Sequence, residues 1–294
     1  MSLRYRLMRR FVAKAVAHHG SITVEQLRSL QGPPSPPLVD VRGVTFWTES
    51  LAGLDVEIAE PADATADLLF LHGGGCIAGT PSTQRKLVGA IAREAAVRVW
   101  SPDYRLAPEH PYPAAVDDAV TAYRALLERV DSPRVVLAGE SGGGLLAATA
   151  LLRARDVGLP PPAAVVLLNA WTDLTLSGTS TTENVGKDFL TPPFLEMCRD
   201  AYVGEHDPAD PLLSPLFANL AGLPPTLLQV GDFDLIRDDS VRYAKAAGKA
   251  GSPVDLRVWP KAAHGFMGSC DDLPESRAAI TELATWLRTA LLPK

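Results

Sequence analysis

The chain has 294 residues, of which 47% are hydrophobic, and this length and composition suffice for one α/β domain with a sizeable core. Its net charge is −6 and its basic residues are scattered, whereas nucleic-acid-binding proteins cluster them on one face, so we expect no nucleic-acid partner. The three cysteines lie far apart without a C-x-x-C pair, which argues against a disulfide framework or zinc site and favours a reducing compartment.

The N-terminal segment, residues 1–40, is predicted to form a helical cap arm. It ends in a Pro-rich stretch, Pro33–Pro37, which cannot continue a helix. Residues 1–19 carry five basic side chains but no apolar run long enough for a signal peptide. No other stretch reaches the roughly 18 apolar residues that a membrane span requires. We therefore expect a cytoplasmic protein without stable membrane insertion, with the arm packed on the rest of the chain.

Short β-type runs alternate with helical runs after residue 40. Val44–Trp47 and Leu54–Ala59 are predicted to form a leading hairpin. Six further strands, several of them continuously apolar, are Asp67–Leu71, Val97–Ser101, Arg134–Ala138, Ala163–Asn169, Thr226–Val230 and Asp255–Trp259. Helices are predicted at about 82–95, 114–129, 143–155, 238–250 and 275–291. This alternation indicates an α/β protein with a mostly parallel, eight-stranded sheet and helices on both faces.

The segment from about 170 to 225 interrupts the alternation. Its 56 residues contain no clear strand and are too many for a simple connection. One helix is predicted near Phe194–Val203, opened by Thr191 and two prolines. Ligands of such folds bind outside the carboxyl ends of the strands. We interpret residues 170–225 as a cap insertion at that edge, carried by a catalytic domain of residues 41–294.

A strand–turn–helix unit contains the first candidate catalytic residue. The sequence Gly139-Glu140-Ser141-Gly142-Gly143 follows a predicted strand and precedes a predicted helix, as the nucleophile elbow G-x-S-x-G does. Side chains two residues either side of the serine would clash in so sharp a turn, and glycine removes them. The motif alone also fits a plain glycine-rich turn, while a phosphate loop lacks its Gly-Lys-Ser/Thr ending. In this context Ser141 is predicted to be a nucleophile.

A second glycine-rich turn, His72-Gly73-Gly74-Gly75, follows the strand Asp67–Leu71. Attack on an ester carbonyl places negative charge on oxygen, and each backbone N–H aimed at that oxygen contributes about 3 kcal/mol. Glycines allow the backbone to approach closely. We predict that the amides of Gly74, Gly75 and Gly142 form an oxyanion hole. His72 is predicted to organise the loop rather than to catalyse.

A serine hydroxyl is a weak nucleophile and needs a base, which a carboxylate in turn orients. Of the six histidines, only His264 lies in a loop after a late strand, at the edge where Ser141 emerges. The chain order serine, acid, histidine places the acid after the strand Thr226–Val230. Four aspartates follow that strand: Asp232, Asp234, Asp238 and Asp239. Asp238 and Asp239 are expected to begin a helix. We predict that Asp234 is the acid, with Asp232 and Asp238 as the next candidates.

These motifs resemble those of the bacterial hormone-sensitive-lipase-like esterases of the α/β-hydrolase fold, over nearly the whole chain. Further matching segments are Pro102–Pro111, Trp171–Leu174, Asp234–Asp238 and His264–Phe266. The resemblance implies hydrolysis of esters with short to medium acyl chains, without a metal or other cofactor. It also implies that the first aspartate of the D-x-L-x-D-like motif, Asp234, is the acid.

The chain departs from that family pattern beside the nucleophile. Glu-Ser-Gly-Gly stands where Asp-Ser-Ala-Gly is usual, which keeps an acidic side chain at Glu140. Cys76 follows the glycine motif where a large aromatic residue is common. It would either widen the acyl or alcohol pocket or pack as a small apolar residue. Cys76 and Glu140 are therefore candidates for the substrate pocket.

The sequence thus predicts a serine carboxylesterase that forms an acyl-enzyme intermediate with a small ester substrate. A lactonase or an amide hydrolase with the same triad is the nearest alternative. A ligand-binding receptor built on an inactive hydrolase would have lost the histidine, which is present here. A true lipase would need a more apolar lid than residues 170–225 provide. The resemblance leaves open a homodimer formed by pairing of the last strand.

Overall fold

The computed structural model describes residues 2, 22–31, 41–269 and 273–292. Eight strands form one sheet: β1 (Val44–Leu51), β2 (Leu54–Pro61), β3 (Ala66–Leu71), β4 (Val97–Pro102), β5 (Val135–Glu140), β6 (Ala164–Leu168), β7 (Thr226–Gly231) and β8 (Val254–Trp259). Their order across the sheet is β1-β2-β4-β3-β5-β6-β7-β8. The first two pairings, β1 with β2 and β2 with β4, are antiparallel, and all the others are parallel. The predicted mostly parallel, eight-stranded sheet is confirmed.

The β1–β2 hairpin is longer than predicted. Its strands continue to Leu51 and Pro61, and its two-residue turn, Ala52-Gly53, has φ values of 52° and 85°. Two positive φ angles are the geometry of a type I′ turn, whose twist matches that of the strands it joins. The apolar run that marked β1 in the sequence ends at Trp47, because the second half of this half-exposed edge strand is mostly polar.

Helices cover both faces of the sheet. They are α1 (Val24–Gln31), α2 (Arg85–Ala95), α3 (Ala114–Leu127), α4 (Gly142–Asp156), α5 (Ser180–Glu183), α6 (Pro192–Val203), α7 (Arg237–Lys249) and α8 (Pro274–Ala290). Side chains alternate along each strand, so Leu69 and Leu137 pack into the hydrophobic cluster under α3, α4 and α7. Leu68 and Val136 pack into the second cluster, under α2 and α8. The central strands are therefore buried on both sides, as their apolar runs predicted.

Residues 170–225 lie between β6 and β7 and contain α5 and α6 but no strand. Thr191 caps α6, since its side-chain oxygen accepts the Phe194 N–H (3.4 Å) and two prolines occupy the first helical positions. The start predicted from Thr191-Pro192-Pro193 is the start observed. Among the described residues, no helix is both long and apolar enough to cross a bilayer.

Only part of the predicted N-terminal arm, residue 2 and residues 22–31, belongs to the described chain; the rest of that prediction lies outside it. Within α1, the Arg28 side chain forms hydrogen bonds with three residues in the loops that follow the glycine turn at residues 72–75. Its Nε donates to the Ile77 carbonyl (2.7 Å) and its Nη2 to the Ala107 carbonyl (2.8 Å). The guanidinium also forms two 2.7 Å hydrogen bonds with the carboxylate of Glu109. This helix is thereby fixed beside the turn that contains Gly74 and Gly75.

Candidate active site

Ser141 lies in the turn between β5 and α4 with φ 57° and ψ −121°, a conformation that side-chain-bearing residues rarely adopt. Its N–H donates to the Leu168 carbonyl at the end of β6 (2.9 Å), which holds the strained turn at the sheet edge. A Cβ at Gly139 would lie 2.0 Å from the Gly143 carbonyl oxygen, and one at Gly143 would lie 2.0 Å from the Leu71 oxygen. Both flanking positions therefore require glycine, which is the steric condition that the sequence motif predicted.

Three side chains from the loops after β5, β7 and β8 form one hydrogen-bonded series. His264 Nε2 lies 2.9 Å from Ser141 Oγ. His264 Nδ1 lies 3.1 Å from each carboxylate oxygen of Asp234. Asp234 is fully buried, and its oxygens also accept hydrogen bonds from the Asn169 side chain (2.6 Å) and the Ile236 N–H (2.9 Å). These donors hold the carboxylate against the imidazole.

The competing aspartates lie away from His264. Asp238 and Asp239 are in the first turn of α7, as predicted. Asp238 binds Arg237 (2.7 Å) and the hydroxyl of Thr179 (2.9 Å). The carboxylate of Asp232 lies 3.9 Å from the Arg237 guanidinium, and its side chain is 42% exposed. Of the candidates that the sequence left open, only Asp234 contacts the imidazole.

The glycine turn after β3 lies against the start of α4. Gly74 and Gly75 have φ values of 122° and 63°. A Cβ at Gly142 would lie 2.9 Å from the Cys76 nitrogen and 3.1 Å from Gly75 Cα, so the two backbone segments are in direct contact. The N–H groups of Gly74, Gly75 and Gly142 form no hydrogen bond with another described residue. The structure thus brings the three predicted donors together, unpaired within the described chain, at the turn that carries Ser141.

His72, next to this turn, is fully buried and stacks on Tyr104 with 4.2 Å between ring centroids. Its Nδ1–H donates to the Gly73 carbonyl (2.8 Å), and the Tyr104 hydroxyl donates to the His72 carbonyl (2.7 Å). Burial lowers the pKa of His72 to about 4, so the ring is neutral at physiological pH. These contacts fit the predicted role of a residue that organises the loop.

Glu140 fills the space between the two glycine turns. Its Oε2 accepts a hydrogen bond from the Gln84 side chain (2.8 Å), and its Oε1 lies 3.8 Å from His264 Nε2. A Cβ at Gly73 would lie 2.1 Å from Glu140 Oε2, so that glycine leaves room for the carboxylate. Burial raises the pKa of Glu140.

The charge balance around His264 favours the imidazolium. Burial of the ring opposes its charge, but the negative charges of Asp234, Glu140 and Asp188 outweigh burial and raise the pKa of His264 to about 9. The group can accept a proton from Ser141 only in its neutral form. The site therefore stabilises the protonated form of the imidazole.

A cavity of about 610 Å³ opens over Ser141 and His264. Its apolar lining comes largely from the segment 170–225: Trp171, Phe189, Leu190, Phe194, Leu195 and Cys198, with Met267. Its polar lining includes residues 82–86. Within the described chain, no group of His, Cys, Asp or Glu side chains is arranged to hold a metal ion.

The two predicted pocket residues have different positions. Glu140 lines the cavity, whereas Cys76 does not, so of the two alternatives that the sequence left open for Cys76 the structure favours the second. Cys76 is fully buried beneath the glycine turn, with its Sγ 3.7 Å from the Gly142 carbonyl oxygen, and packs as a small apolar residue. Cys198 on α6 lines the cavity instead, and a Cβ at Gly75 would lie 2.7 Å from its Sγ. The four-residue spacing of Phe194 and Cys198, which places both on one helix face, was an unused signal for this wall.

Comparison with known proteins gives consistent matches. The family described as having the alpha/beta hydrolase fold matches residues 68–268. A Streptomyces hygroscopicus acetyl-hydrolase is 44% identical over 225 residues, which are 76% of this chain and 75% of that protein. The carboxylesterase NlhH of Mycobacterium tuberculosis is 33% identical over 280 residues, 90% of this chain and 88% of that protein.

Solved structures resemble the chain over almost its full length. A hormone-sensitive lipase from a metagenome library superposes with a TM-score of 0.93 at 36% identity, covering 99% of both chains. EstE5, in a crystal soaked with p-nitrophenyl butyrate, superposes with a TM-score of 0.93 at 31% identity and the same coverage.

Proposed function

The chain belongs to the α/β-hydrolase family of hormone-sensitive-lipase-like esterases, and we propose that this ester hydrolase works through an acyl-enzyme intermediate on Ser141. The observation that carries the proposal is the contact series Asp234–His264–Ser141, with distances of 3.1 and 2.9 Å at the floor of the cavity. Nucleophile, base and orienting acid within hydrogen-bond reach are the geometric requirement for this chemistry.

In the first half of the proposed cycle, His264 Nε2 takes the proton of Ser141 as Oγ attacks the ester carbonyl. The carbonyl oxygen becomes negative and accepts hydrogen bonds from the amides of Gly74, Gly75 and Gly142, each contributing about 3 kcal/mol. As the tetrahedral intermediate collapses, the imidazolium protonates the departing alcohol oxygen, and the acyl group remains on Ser141.

In the second half, a water molecule replaces the alcohol. His264 removes a proton from this water, the resulting hydroxide attacks the acyl carbonyl, and the same three amides bind the oxyanion. Collapse returns the proton to Ser141 Oγ and releases the carboxylic acid. Throughout, Asp234 accepts the Nδ1–H of His264, which keeps Nε2 facing the serine and stabilises the imidazolium.

We propose that the acyl group is short to medium in length. The wall formed by α6 lies directly against the oxyanion turn, since Cys198 Sγ occupies the space into which a Gly75 side chain would project. Depth beside the reacting carbonyl is therefore limited. Each methylene that the apolar wall still accommodates adds about 0.8 kcal/mol of binding, whereas a chain too long for this depth must bend or clash at a net cost.

A series of p-nitrophenyl esters with acyl chains of increasing length tests the proposed preference for short to medium acyl groups. We expect kcat/KM to peak at about two to six carbons and to fall about tenfold or more for dodecanoate, since about 1.4 kcal/mol corresponds to a tenfold change. Initial rates at fixed enzyme concentration, with detergent-free substrates below their solubility limit, give the profile. A maximum at ten carbons or more, or preference for a lactone or anilide over every ester, would contradict the assignment.

The pH profile provides a test of the charges around His264. Protonated His264 cannot act as a base, so kcat/KM is expected to rise with pH toward the pKa of about 9. Glu140→Gln removes a negative charge 3.8 Å from His264 Nε2 and thereby lowers the pKa of His264. The acid limb, the region in which kcat/KM rises with pH, should therefore move to lower pH by about half a unit or more.

The measurement is kcat/KM for p-nitrophenyl acetate between pH 6 and 10, corrected for spontaneous hydrolysis. Glu128→Gln, at an exposed position after α3, removes an equal charge far from the cavity and should leave the limb in place. An acid limb that stays fixed or moves upward in Glu140→Gln would disprove the electrostatic role of Glu140.

A further inference from the structure

Asp188 is a buried carboxylate of the insertion that no step of the proposed reaction uses. It lies between α5 and α6 and is 3% exposed. Its Oδ1 accepts the N–H groups of Phe189 (2.7 Å) and His264 (3.2 Å). Its Oδ2 accepts the N–H of Leu235 (2.7 Å), the residue that follows Asp234. One side chain therefore binds the backbone of both loops that carry the acid and the base.

A second residue of the insertion binds the same turn. The side-chain amide of Asn184 donates to the carbonyls of Asp232 (3.0 Å) and Asp234 (2.8 Å). The backbone on either side of the acid is thus held by complementary groups, a donor from Asn184 and an acceptor from Asp188. Neither contact belongs to the sheet, so the strands alone do not determine where Asp234 and His264 meet.

We propose that Asp188 is a positioning residue that sets the distance and orientation between Asp234 and His264, so that the cap insertion determines the geometry of the proposed triad. A misplacement of about 1 Å can cost about a hundredfold in rate. A carboxylate suits this position because hydrogen bonds to a charged acceptor are roughly twice as strong as neutral ones. It also offers two acceptor oxygens to three buried N–H donors.

The charge of Asp188 acts on the same pair. Carboxylates face His264 from three elements: Asp234 after β7, Glu140 at the end of β5, and Asp188 from the insertion. Burial and the neighbouring Asp234 charge raise the pKa of Asp188 to about 6, so it is ionised where the enzyme is expected to work. Its removal therefore lowers the pKa of His264 as well as releasing its backbone.

This inference rests on the proposed function and is tested with Asp188→Ala, Asp188→Asn and the control Asp200→Asn, whose side chain is 67% exposed on α6. Kinetics with p-nitrophenyl acetate give kcat, KM and the pH profile, and circular dichroism gives the folded fraction. Asp188→Ala should lose about tenfold to a hundredfold in kcat with KM changed less than about threefold. Asp188→Asn should recover part of the loss, because its one oxygen can still accept from Phe189 and His264.

In both variants the acid limb should move to lower pH, because a negative charge near the imidazole is gone. Asp200→Asn should match the wild type. Asp188→Ala with wild-type kcat per folded molecule, or a loss confined to thermal stability, would overturn the positioning role. If Asp188→Ala does not fold, Asp188→Asn decides, and an unchanged kcat and pH profile there would refute it. Turnover by Ser141→Ala at the wild-type rate would instead refute the proposed function.

Discussion

Replacing Ser141 with alanine is expected to lower kcat for p-nitrophenyl acetate by about 10⁶-fold, the order of the loss when a Ser-His-Asp protease loses its nucleophile. The proposed covalent step needs Oγ, which lies 2.9 Å from His264 Nε2. The elbow itself should persist, because the backbone bonds of residue 141 to the end of β6 do not involve the hydroxyl. Residual turnover would come from the proposed oxyanion amides and substrate binding alone.

Two further measurements test whether the loss of activity comes from the Ser141 hydroxyl itself. Ser50→Ala, at an exposed position of β1 away from the cavity, provides a matched control that should retain wild-type kcat. Intact-mass analysis after incubation with a fluorophosphonate should show one adduct on the wild type and none on Ser141→Ala. An adduct formed on the variant at the wild-type rate would mean that another residue is the nucleophile.

Asp234→Asn is expected to lower kcat by about 10⁴-fold, the effect known for the equivalent change in a serine protease triad. Both carboxylate oxygens accept hydrogen bonds from donors other than His264, namely the Asn169 amide (2.6 Å) and the Ile236 N–H (2.9 Å). In asparagine an NH₂ group replaces one of the two acceptor oxygens, and this NH₂ group must face either one of these donors or His264 Nδ1. In the latter case His264 is held in the tautomer that cannot accept the serine proton.

The matched control is Asp232→Asn, two residues earlier in the same turn. Its carboxylate is 42% exposed and lies 3.9 Å from Arg237, so the variant should stay within about threefold of wild-type kcat, as for other exposed ion pairs. This pair of variants also separates two of the three acids that the sequence left in competition. A larger loss in Asp232→Asn than in Asp234→Asn would reverse the assignment.

Much of the sheet could be predicted because the central strands are buried on both faces. A run such as Ala164–Leu168 must then be apolar throughout, and it stands out in the sequence. The elbow could be predicted for a related reason, since its steric limits leave glycine as the only choice at residues 139 and 143. Chain order then restricted the acid and the base to two loops. Local sequence was informative wherever local geometry was the constraint.

The contacts of Asp188 and Cys76 could not be predicted because they depend on chain segments that meet only in the folded protein. Asp188 binds backbone N–H groups 47 and 76 residues further along the chain. The sequence does not show which backbone N–H groups a side chain will bind, since almost every residue has one. Whether Cys76 faces the cavity depends on how α6 packs on the glycine turn. There Cys198, and not Cys76, lines the cavity beside Gly75.

The hydrogen bonds of Arg28 with three later residues have a consequence for how the chain folds during synthesis. Its acceptors at Ile77, Ala107 and Glu109 lie 49 to 81 residues later in the sequence. The helix that carries Arg28 leaves the ribosome before these partners and gains them only after the segment through residue 109 has emerged. Contacts between segments so distant in sequence slow folding, because the entropy of closing the loop is lost before the contacts can stabilise the chain. The turn that contains Gly74 and Gly75 is therefore contacted by a helix that is synthesised before it.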